Sequence, residues 1–326
     1  MPLRIALTIV LACCALAASE KTEKKPRMHH EYAEVNGVRL HYVTAGKGPL
    51  IVFLHGFPEF WYEWKDQLPE FGKDHRAVAP DMRGYNLSEK PVGVDHYQMK
   101  DLVEDVRALA EHLGYKKFIL VGHDWGGGVA WSFAIAHPEY LEKLVIINCP
   151  HPAILARELA GNPAQQKASQ YMLFFRSPQA EQQLSANNYA GLVDGVLGDG
   201  LKTGVFTEAD KQAYIAAWSQ PGALTGGLNY YRAANLGPPA PPKEGEAAAA
   251  SAPSGAAFGL EAANLVVKVP TLVIWGEKDT ALLTGNLDGM DKFVPNLTVK
   301  RIPDGSHWVI HEKPALVNGY IREFIQ

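Results

Sequence analysis

The chain has 326 residues, of which 47% are apolar and 20% charged, and its formal charge at pH 7 is −4. This apolar fraction is sufficient for a large core and excludes a disordered chain. The small net charge gives no indication of a nucleic-acid partner. The length is compatible with one large α/β domain carrying an insertion, or with two domains.

Residues 1–18 are predicted to be a signal peptide. Arg4 precedes the apolar run Ile5 to Leu16, and cleavage is expected after Ala17 or Ala18, before a charged segment. The apolar run is too short to span a bilayer comfortably. We therefore expect a periplasmic or secreted protein. The alternative is a lipoprotein whose lipid anchor is attached at Cys13.

Residues 19–30 are charged and lack hydrophobic periodicity, which predicts a flexible tether before a core over 31–149. From Tyr32 to Val43 apolar and polar residues alternate around Asn36-Gly37, a signature of a type I′ hairpin. Short apolar runs then predict strands buried on both faces. These runs are Pro49–Leu54, Ala77–Ala79, Phe118–Val121, Leu144–Asn148, Pro270–Trp275 and Leu297–Ile302.

Helical patterns lie between these runs. A helix is expected with Trp61, Trp64 and Leu68 on one face, another is expected to be capped by Asp95, and the last begins at Pro314. Alternating strands and helices predict the fold class α/β: a mostly parallel sheet with helices on both faces.

The pattern changes over residues 150–236, where helical segments follow one another without a strand. An all-helical insertion after the C-terminal end of a strand is placed to form a lid over a site. Residues 237–262 are rich in Ala, Pro, Gly and Ser and predict a low-complexity loop, and the core is expected to resume over 263–326.

The segment around Asp124 has the pattern of a nucleophile elbow, with an acid where a serine usually lies. Side chains at Gly122 and Gly126 would collide with the strand or the helix that flank the turn. The helix N-terminus favours an ionised carboxylate, and a rigidly held carboxylate can attack carbon. On this segment alone, an ordinary strand-to-helix turn with a capping aspartate is the alternative.

Asp124, Asp279 and His307 each follow a predicted strand, in the chain order nucleophile, acid, histidine. In the predicted roles, Asp124 forms an ester, His307 is the general base that activates water, and Asp279 orients the imidazole. Asp304 and Glu277 compete for the acid role. We favour Asp279 because it lies a few residues past the end of a buried strand.

An oxyanion formed at Asp124 needs backbone donors. The candidates are the N–H groups of Trp125, which follows the nucleophile, and of Phe57, which follows His55-Gly56. His55 is expected to hold this oxyanion loop by hydrogen bonding. Among the aromatic residues of the lid, Phe174 and Trp218 are predicted to line an apolar substrate pocket.

Several motifs resemble those of the α/β-hydrolase fold epoxide hydrolases, in the same order from about Tyr32 to the C-terminus. They are His55-Gly56-Phe57-Pro58-Glu59 with Trp61-Tyr62-Glu63-Trp64, Asp81-Met82-Arg83-Gly84-Tyr85, Gly122-His123-Asp124-Trp125-Gly126-Gly127, Asn148-Cys149-Pro150-His151-Pro152, Trp275-Gly276-Glu277-Lys278-Asp279 and Gly305-Ser306-His307-Trp308. The resemblance implies hydrolysis of a small apolar epoxide by water, without a metal or organic cofactor.

The resemblance further implies two lid tyrosines that protonate the epoxide oxygen as the ring opens. Matching segments assign these roles to Tyr171 and Tyr231, although the neighbouring Tyr230 is the alternative for the second. An alkoxide is a poor leaving group, so ring opening requires such an acid. The long Ala- and Pro-rich segment after Tyr231 departs from the family pattern.

Two other functions stay open at this point. A haloalkane or haloacid dehalogenase would use the same three residues, but such enzymes commonly have Asn where this chain has Phe57 or Arg where it has Trp125, and a halide needs no paired phenols. A catalytically silent binding protein on the same fold is the alternative outside enzymes. The oligomeric state does not follow from the sequence.

Overall fold

A sheet of eight strands lies at the centre of the structure, a computed structural model that describes residues 26–239 and 265–326. The strand order is β1-β2-β4-β3-β5-β6-β7-β8. The pairs β1–β2 and β2–β4 are antiparallel, and all other pairs are parallel. The predicted mostly parallel α/β sheet is confirmed. The strands are β1 (Met28–Val35), β2 (Val38–Ala45), β3 (Leu50–Leu54), β4 (Arg76–Pro80), β5 (Phe118–His123), β6 (Leu141–Ile147), β7 (Thr271–Gly276) and β8 (Leu297–Ile302).

The apolar runs form strands because the centre of the sheet is covered on both faces. Every residue of β3, β5 and β7 is buried, whereas β8 lies at the edge and is mostly exposed or half-buried. The hairpin between β1 and β2 turns at Asn36 and Gly37, whose φ angles of 47° and 73° fit a type I′ turn.

The predicted tether is wrong at its C-terminal end. Antiparallel pairing of β1 with β2 extends back to Met28 opposite Ala45, and the His30 ring stacks on His41 at a centroid distance of 5.1 Å. These contacts order the chain three residues before the predicted start of the core at residue 31. The signal peptide, Cys13, the tether up to residue 25 and residues 240–262 of the low-complexity segment lie outside the described residues.

Twelve α-helices accompany the sheet in the described residues. They are α1 (Gln67–Phe71), α2 (Met99–His112), α3 (Asp124–Ala136), α4 (Pro152–Gly161), α5 (Pro163–Ala168), α6 (Gln170–Arg176), α7 (Ala180–Leu192, with non-helical backbone at 186–189), α8 (Gly198–Thr203), α9 (Glu208–Trp218), α10 (Ala223–Ala233), α11 (Val309–Glu312) and α12 (Pro314–Ile325). Within these described ranges, no helix has the length and hydropathy needed to span a membrane.

Two helix predictions are corrected. Asp95 does not cap α2, because it lies in a short 3-10 turn, Val94–Tyr97, and Gln98 is the N-cap. The single helix expected around Trp64 is instead a 3-10 turn, Trp61–Trp64, followed by α1. The Trp61 N–H is held by the Asp81 carboxylate at 3.0 Å, which fixes the turn against the end of β4.

Helices α4 to α10 lie between β6 and β7 in the chain, and α9 and α10 contact the loops after β3 and β4. The backbone of α10 rests directly on the loop after β4. A Cβ atom on Gly226 would lie 2.2 Å from the carbonyl oxygen of Gly84, so this approach requires glycine. The Trp218 indole also donates a hydrogen bond of 2.6 Å to the Pro58 carbonyl. The insertion is thereby held against the loops that follow β3 and β4.

Candidate active site

Asp124 occupies the turn between β5 and α3 with a φ angle of 46°, in the left-handed region that residues other than glycine rarely adopt. The flanking glycines make this turn sterically accessible. A Cβ on Gly122 would lie 2.3 Å from the Gly126 carbonyl oxygen, and one on Gly126 would lie 2.1 Å from that of Leu54. The sharp elbow therefore presents the carboxylate above the sheet at the N-terminus of α3, where the helix dipole favours a negative charge.

His307 lies between two carboxylates. Its Nδ1 atom is 2.7 Å from Asp279 Oδ2, and its Nε2 atom is 3.7 Å from Asp124 Oδ2. The other oxygen of Asp279 accepts hydrogen bonds from the backbone N–H groups of Ala281 and Leu282. Since an ionised carboxylate can only accept, Nδ1 carries hydrogen and Nε2 is the atom that faces Asp124.

The charges around His307 favour its protonated form. Burial opposes the imidazolium, but the charge and hydrogen bond of Asp279, followed by the charge of Asp124, raise the pKa of His307 to about 9. The pKa of Asp279 is shifted in the opposite direction: burial would raise it, yet the neighbouring His307 and its hydrogen bonds hold it below its ordinary value. The two competing acids point elsewhere, since Glu277 pairs with Arg301 and Asp304 with Lys313.

Asn148 is a site residue that the sequence reasoning did not assign. Its amide nitrogen donates to Asp279 Oδ2 at 2.8 Å, and its amide oxygen accepts from the Gly276 N–H at 2.9 Å. Asn148 follows β6 and has a φ angle of 41°. An asparagine directly after a buried strand is the available signal, because asparagine tolerates this backbone conformation and offers an amide at the same position.

The loop after β3 supplies one donor to Asp124. The Phe57 N–H is 2.8 Å from Asp124 Oδ1, the oxygen that does not face His307. His55 holds this loop: it accepts from the Met82 N–H at 2.9 Å, and its other ring nitrogen donates to the Gly56 carbonyl at 2.9 Å. Trp125 packs edge-on against Tyr231 at a ring distance of 5.0 Å, and the role of its N–H as a second donor stays a prediction.

The lid places two phenols with the elbow carboxylate. Tyr171 in α6 and Tyr231 in α10 line the same cavity as Asp124, and their rings are 6.4 Å apart. Burial, followed by the charge of Asp124, raises the pKa of both phenols well above 10. Tyr230 is directed elsewhere, because its hydroxyl donates to the Arg83 carbonyl at 2.9 Å. Of the two neighbouring tyrosines, Tyr231 is therefore the one at the cavity.

This cavity has an empty volume of about 350 Å³ and a mostly apolar lining. Besides Asp124 and the two tyrosines, it is lined by Trp125, Gly128, Cys149, Pro150, Leu155, Met172, Leu236 and Leu282. Phe174 and Trp218 are not part of this lining, and their role in substrate binding stays a prediction. Trp218 lines a separate space beside Phe57 and Phe60, and Phe174 packs against Phe175. Phe175, in turn, packs on Tyr231 at 5.1 Å.

The sheet, the elbow and the Asp–His pair at the strand ends define an α/β hydrolase. A model of the alpha/beta hydrolase fold family matches residues 49–314. The chain is 40% identical to an AB hydrolase superfamily protein, YfhM, of Bacillus subtilis over 91% of this chain and 97% of that protein. It is 37% identical to epoxide hydrolase 4 of Mus musculus over 91% of this chain and 79% of that protein.

Solved structures give the same result. The epoxide hydrolase of Bacillus megaterium in complex with an inhibitor superimposes with a TM-score of 0.82 and 42% identity, over 90% of this chain and 99% of that chain. An epoxide hydrolase from Vigna radiata superimposes with a TM-score of 0.73 and 30% identity, over 91% of this chain and 97% of that chain. The chain belongs to the α/β-hydrolase fold family and, within it, to the epoxide hydrolases.

Proposed function

We propose that the protein hydrolyses a small apolar epoxide to a vicinal diol through a covalent ester on Asp124. The observation that carries this proposal is the shared cavity of the Asp124 carboxylate and the phenols of Tyr171 and Tyr231. A carboxylate beside a histidine suits several leaving groups. Two phenols that stay protonated at neutral pH suit a leaving alkoxide, which needs a proton, and not a halide.

In the first step, Asp124 Oδ2 attacks a ring carbon, the C–O bond breaks, and its electron pair stays on the epoxide oxygen. That oxygen accepts a hydrogen bond from each phenol and takes a proton from one of them. The Phe57 N–H holds Oδ1 at 2.8 Å, which leaves Oδ2 as the attacking atom. The mostly apolar lining of the cavity excludes bulk water from this step.

In the second step, His307 Nε2 takes a proton from a water molecule, whose oxygen attacks Cγ of Asp124. Negative charge develops on Oδ1, where the Phe57 N–H stabilises it together with that of Trp125. The Cγ–Oδ2 bond then breaks, Oδ2 takes the proton carried by the new Asp124 carboxyl group, and the diol leaves with Oδ2. The phenolate left by the first step takes the proton released from His307, which restores the enzyme. Ester formation removes one of the negative charges that raise the pKa of His307, so the imidazole becomes a base at the stage that needs one.

Diol formation from a panel of epoxides tests the activity, with halide release from haloalkanes measured in parallel. We expect diol and no halide, and we expect Asp124→Ala to make neither. Halide release without diol formation would replace this proposal with dehalogenation, and the absence of both would favour a binding protein. A single turnover in heavy-oxygen water should place the label in Asp124, since Oδ2 leaves with the product. Label that appears directly in the diol would exclude the ester.

We also propose that the protein is exported after cleavage near Ala17 or Ala18, on the basis of the apolar run and small residues of its N-terminus. Mass spectrometry of the mature protein tests this proposal. A mass that corresponds to an N-terminus at Ala18 or Ser19 is expected. An N-terminal lipid on Cys13 would indicate a lipoprotein, and a chain that keeps its first residues would contradict export.

A further inference from the structure

Glu63 lies behind the candidate site, outside its cavity, and joins three of its loops. Its side chain is fully buried in the 3-10 turn after β3. Oxygen Oε2 accepts a hydrogen bond of 3.0 Å from the Gly56 N–H, and Oε1 contacts His123 Nδ1. His123, at the end of β5, places its Nε2 atom 2.9 Å from the carbonyl oxygen of His307. A continuous path therefore runs from the oxyanion loop to the loop that carries His307.

The hydrogens along this path follow from the partners. A carbonyl oxygen only accepts, so His123 Nε2 must carry hydrogen. In a neutral ring, Nδ1 is then an acceptor, and its contact with Glu63 requires that the carboxyl group supplies the hydrogen. The alternative is an ion pair, in which the ring is charged and Glu63 is ionised. The choice between the two depends on the surrounding charges.

The titratable groups that face Glu63 are Glu59, His311, His123, Asp124, His307, Tyr85 and Tyr214. Of the two buried glutamates, Glu59 carries the negative charge, because His311 Nε2 is 3.1 Å from its Oε1 atom and the Tyr214 hydroxyl donates to its Oε2 atom. A second buried negative charge beside Glu59 is unfavourable. Burial, followed by the charge of Glu59, raises the pKa of Glu63 well above its ordinary value.

The pKa of His123 also favours a contact in which both Glu63 and His123 are neutral. Burial and the charge of His307 lower the pKa of His123 to about 4, so its ring is neutral at pH 7. Among the described residues, Glu59, Glu63 and His311 also form a group whose donor atoms, all within 4.8 Å of one another, could hold a metal ion. Protein groups already contact these atoms: Glu63 contacts Gly56 and His123, and Glu59 contacts His311 and Tyr214.

We propose that Glu63 is a positioning residue, held as a neutral carboxylic acid, that fixes the oxyanion loop and the His307 loop relative to each other through His123. It acts through the Phe57 N–H, which follows Gly56 directly, and through the main chain of His307. Only the kinetic consequence of this inference rests on the proposed function. Ester hydrolysis uses both loops, so it is the step that depends most on Glu63.

Two variants separate positioning from space filling. Glu63→Gln keeps both contacts, because the amide oxygen accepts from Gly56 and the amide N–H donates to His123 Nδ1. Glu63→Met has a similar volume and removes both. We expect E63M to lower kcat about tenfold or more, and kcat/KM less, with the Asp124 ester accumulating in quenched samples analysed by mass spectrometry. E63Q should restore most of kcat. An E63M enzyme with parental kcat would overturn the proposal.

Two further measurements decide the protonation state. Infrared difference spectra of the parent against E63Q at pH 7 should show the carbonyl band of a carboxylic acid in the parent alone. The pH dependence of kcat should be unshifted in E63Q, whereas loss of an ionised Glu63 would lower the apparent pKa of His307. A carboxylate band or a lowered pKa would overturn the neutral acid. The infrared result is independent of turnover, so it decides even if E63M does not fold or the parent makes no diol.

Discussion

At the residue scale, the two acidic neighbours of His307 differ in whether they keep their negative charge during the proposed reaction. Asp279 is bound to Nδ1 at 2.7 Å and is held by Asn148 and two backbone N–H groups, so it keeps its place and its charge. Asp124 is 3.7 Å from Nε2, beyond hydrogen-bond distance, and in the proposed reaction it becomes a neutral ester. Asp279 is therefore the partner that orients the imidazole through both steps.

The Asp279→Asn variant tests this role. An amide carries no charge, so the pKa of His307 should fall from about 9 and the imidazole should lose its fixed tautomer. We expect kcat to decrease by roughly a hundredfold or more, with the remaining pH dependence shifted to lower pH. NMR titration of the His307 ring and the pH profile of diol formation measure the two effects. Asp304→Asn, whose parent side chain pairs with Lys313 away from the site, is the matched control. An unshifted His307 titration in D279N would contradict the assignment.

Two adjacent tyrosines provide a second test at this scale. Tyr231→Phe removes a phenol that faces Asp124, and we expect a decrease of roughly a hundredfold in the rate of ester formation. Tyr230→Phe removes the hydrogen bond to the buried Arg83 carbonyl, and we expect a loss of about 1–3 kcal/mol in the free energy of unfolding with activity retained. Stopped-flow kinetics and denaturant unfolding measure these outcomes. The reverse pattern, with Y230F slow and Y231F active, would exchange the roles of the two residues.

At the element scale, the β5–α3 elbow shows which local features the sequence specifies. The glycines at 122 and 126 predicted close backbone approach, and the contact distances agree, because steric exclusion depends only on the neighbouring chain. The cap of α2 was not predicted correctly. Asp95 has the right side chain, but Tyr97 is buried, with its ring 5.9 Å from that of Tyr230 in α10, and the helix starts only at Met99.

Glycine substitutions test the elbow. In Gly126→Ala the new Cβ would lie 2.1 Å from the Leu54 carbonyl oxygen, against backbone atoms that cannot move independently of the sheet. We expect a large loss of stability, of about 3 kcal/mol or more, seen as a lower melting temperature or insoluble protein. Gly319→Ala, at an exposed position of α12 where the Cβ meets no atom within 4 Å, is the control and should gain about 0.5–1 kcal/mol. A G126A enzyme as stable as the parent would refute the close approach.

At the scale of the whole molecule, the sequence specified the order of elements better than the contacts between distant ones. The alternation of apolar runs predicted the parallel sheet, since each run is a local pattern. The pocket lining depends on how α6, α9 and α10 dock on the core, and no local pattern reports this. Trp218 is the clear example, because its indole binds the Pro58 carbonyl and lies outside the cavity of Asp124. Glu63 and Asn148 were missed for the same reason: their partners are distant in the chain.

The buried histidines predict how the stability of the whole molecule depends on pH. Burial lowers the pKa of His123 and of His151 to about 4, while Asp279 outweighs burial and raises the pKa of His307 to about 9. Between pH 4 and 6.5 the unfolded chain binds more protons than the folded protein at the first two residues, so stability should rise with pH. Between pH 6.5 and 9 the folded protein retains the proton of His307 that the unfolded chain has lost, so stability should fall.

We therefore expect the free energy of unfolding to have a maximum near pH 6.5, with slopes of at most about 1.4 kcal/mol per pH unit for each group. Denaturant unfolding at a series of pH values measures the curve. His307→Gln should reduce the alkaline slope only, and part of that slope should remain because the pKa values of His311 and Glu63 are also raised. His151→Phe should reduce the acidic slope, because a phenyl ring has no ionisable group. The Phe ring can still stack on Phe293 in place of His151. An alkaline slope in H307Q as steep as in the parent would show that other groups cause it, and the paired charges at His307 would then contribute no measurable stability.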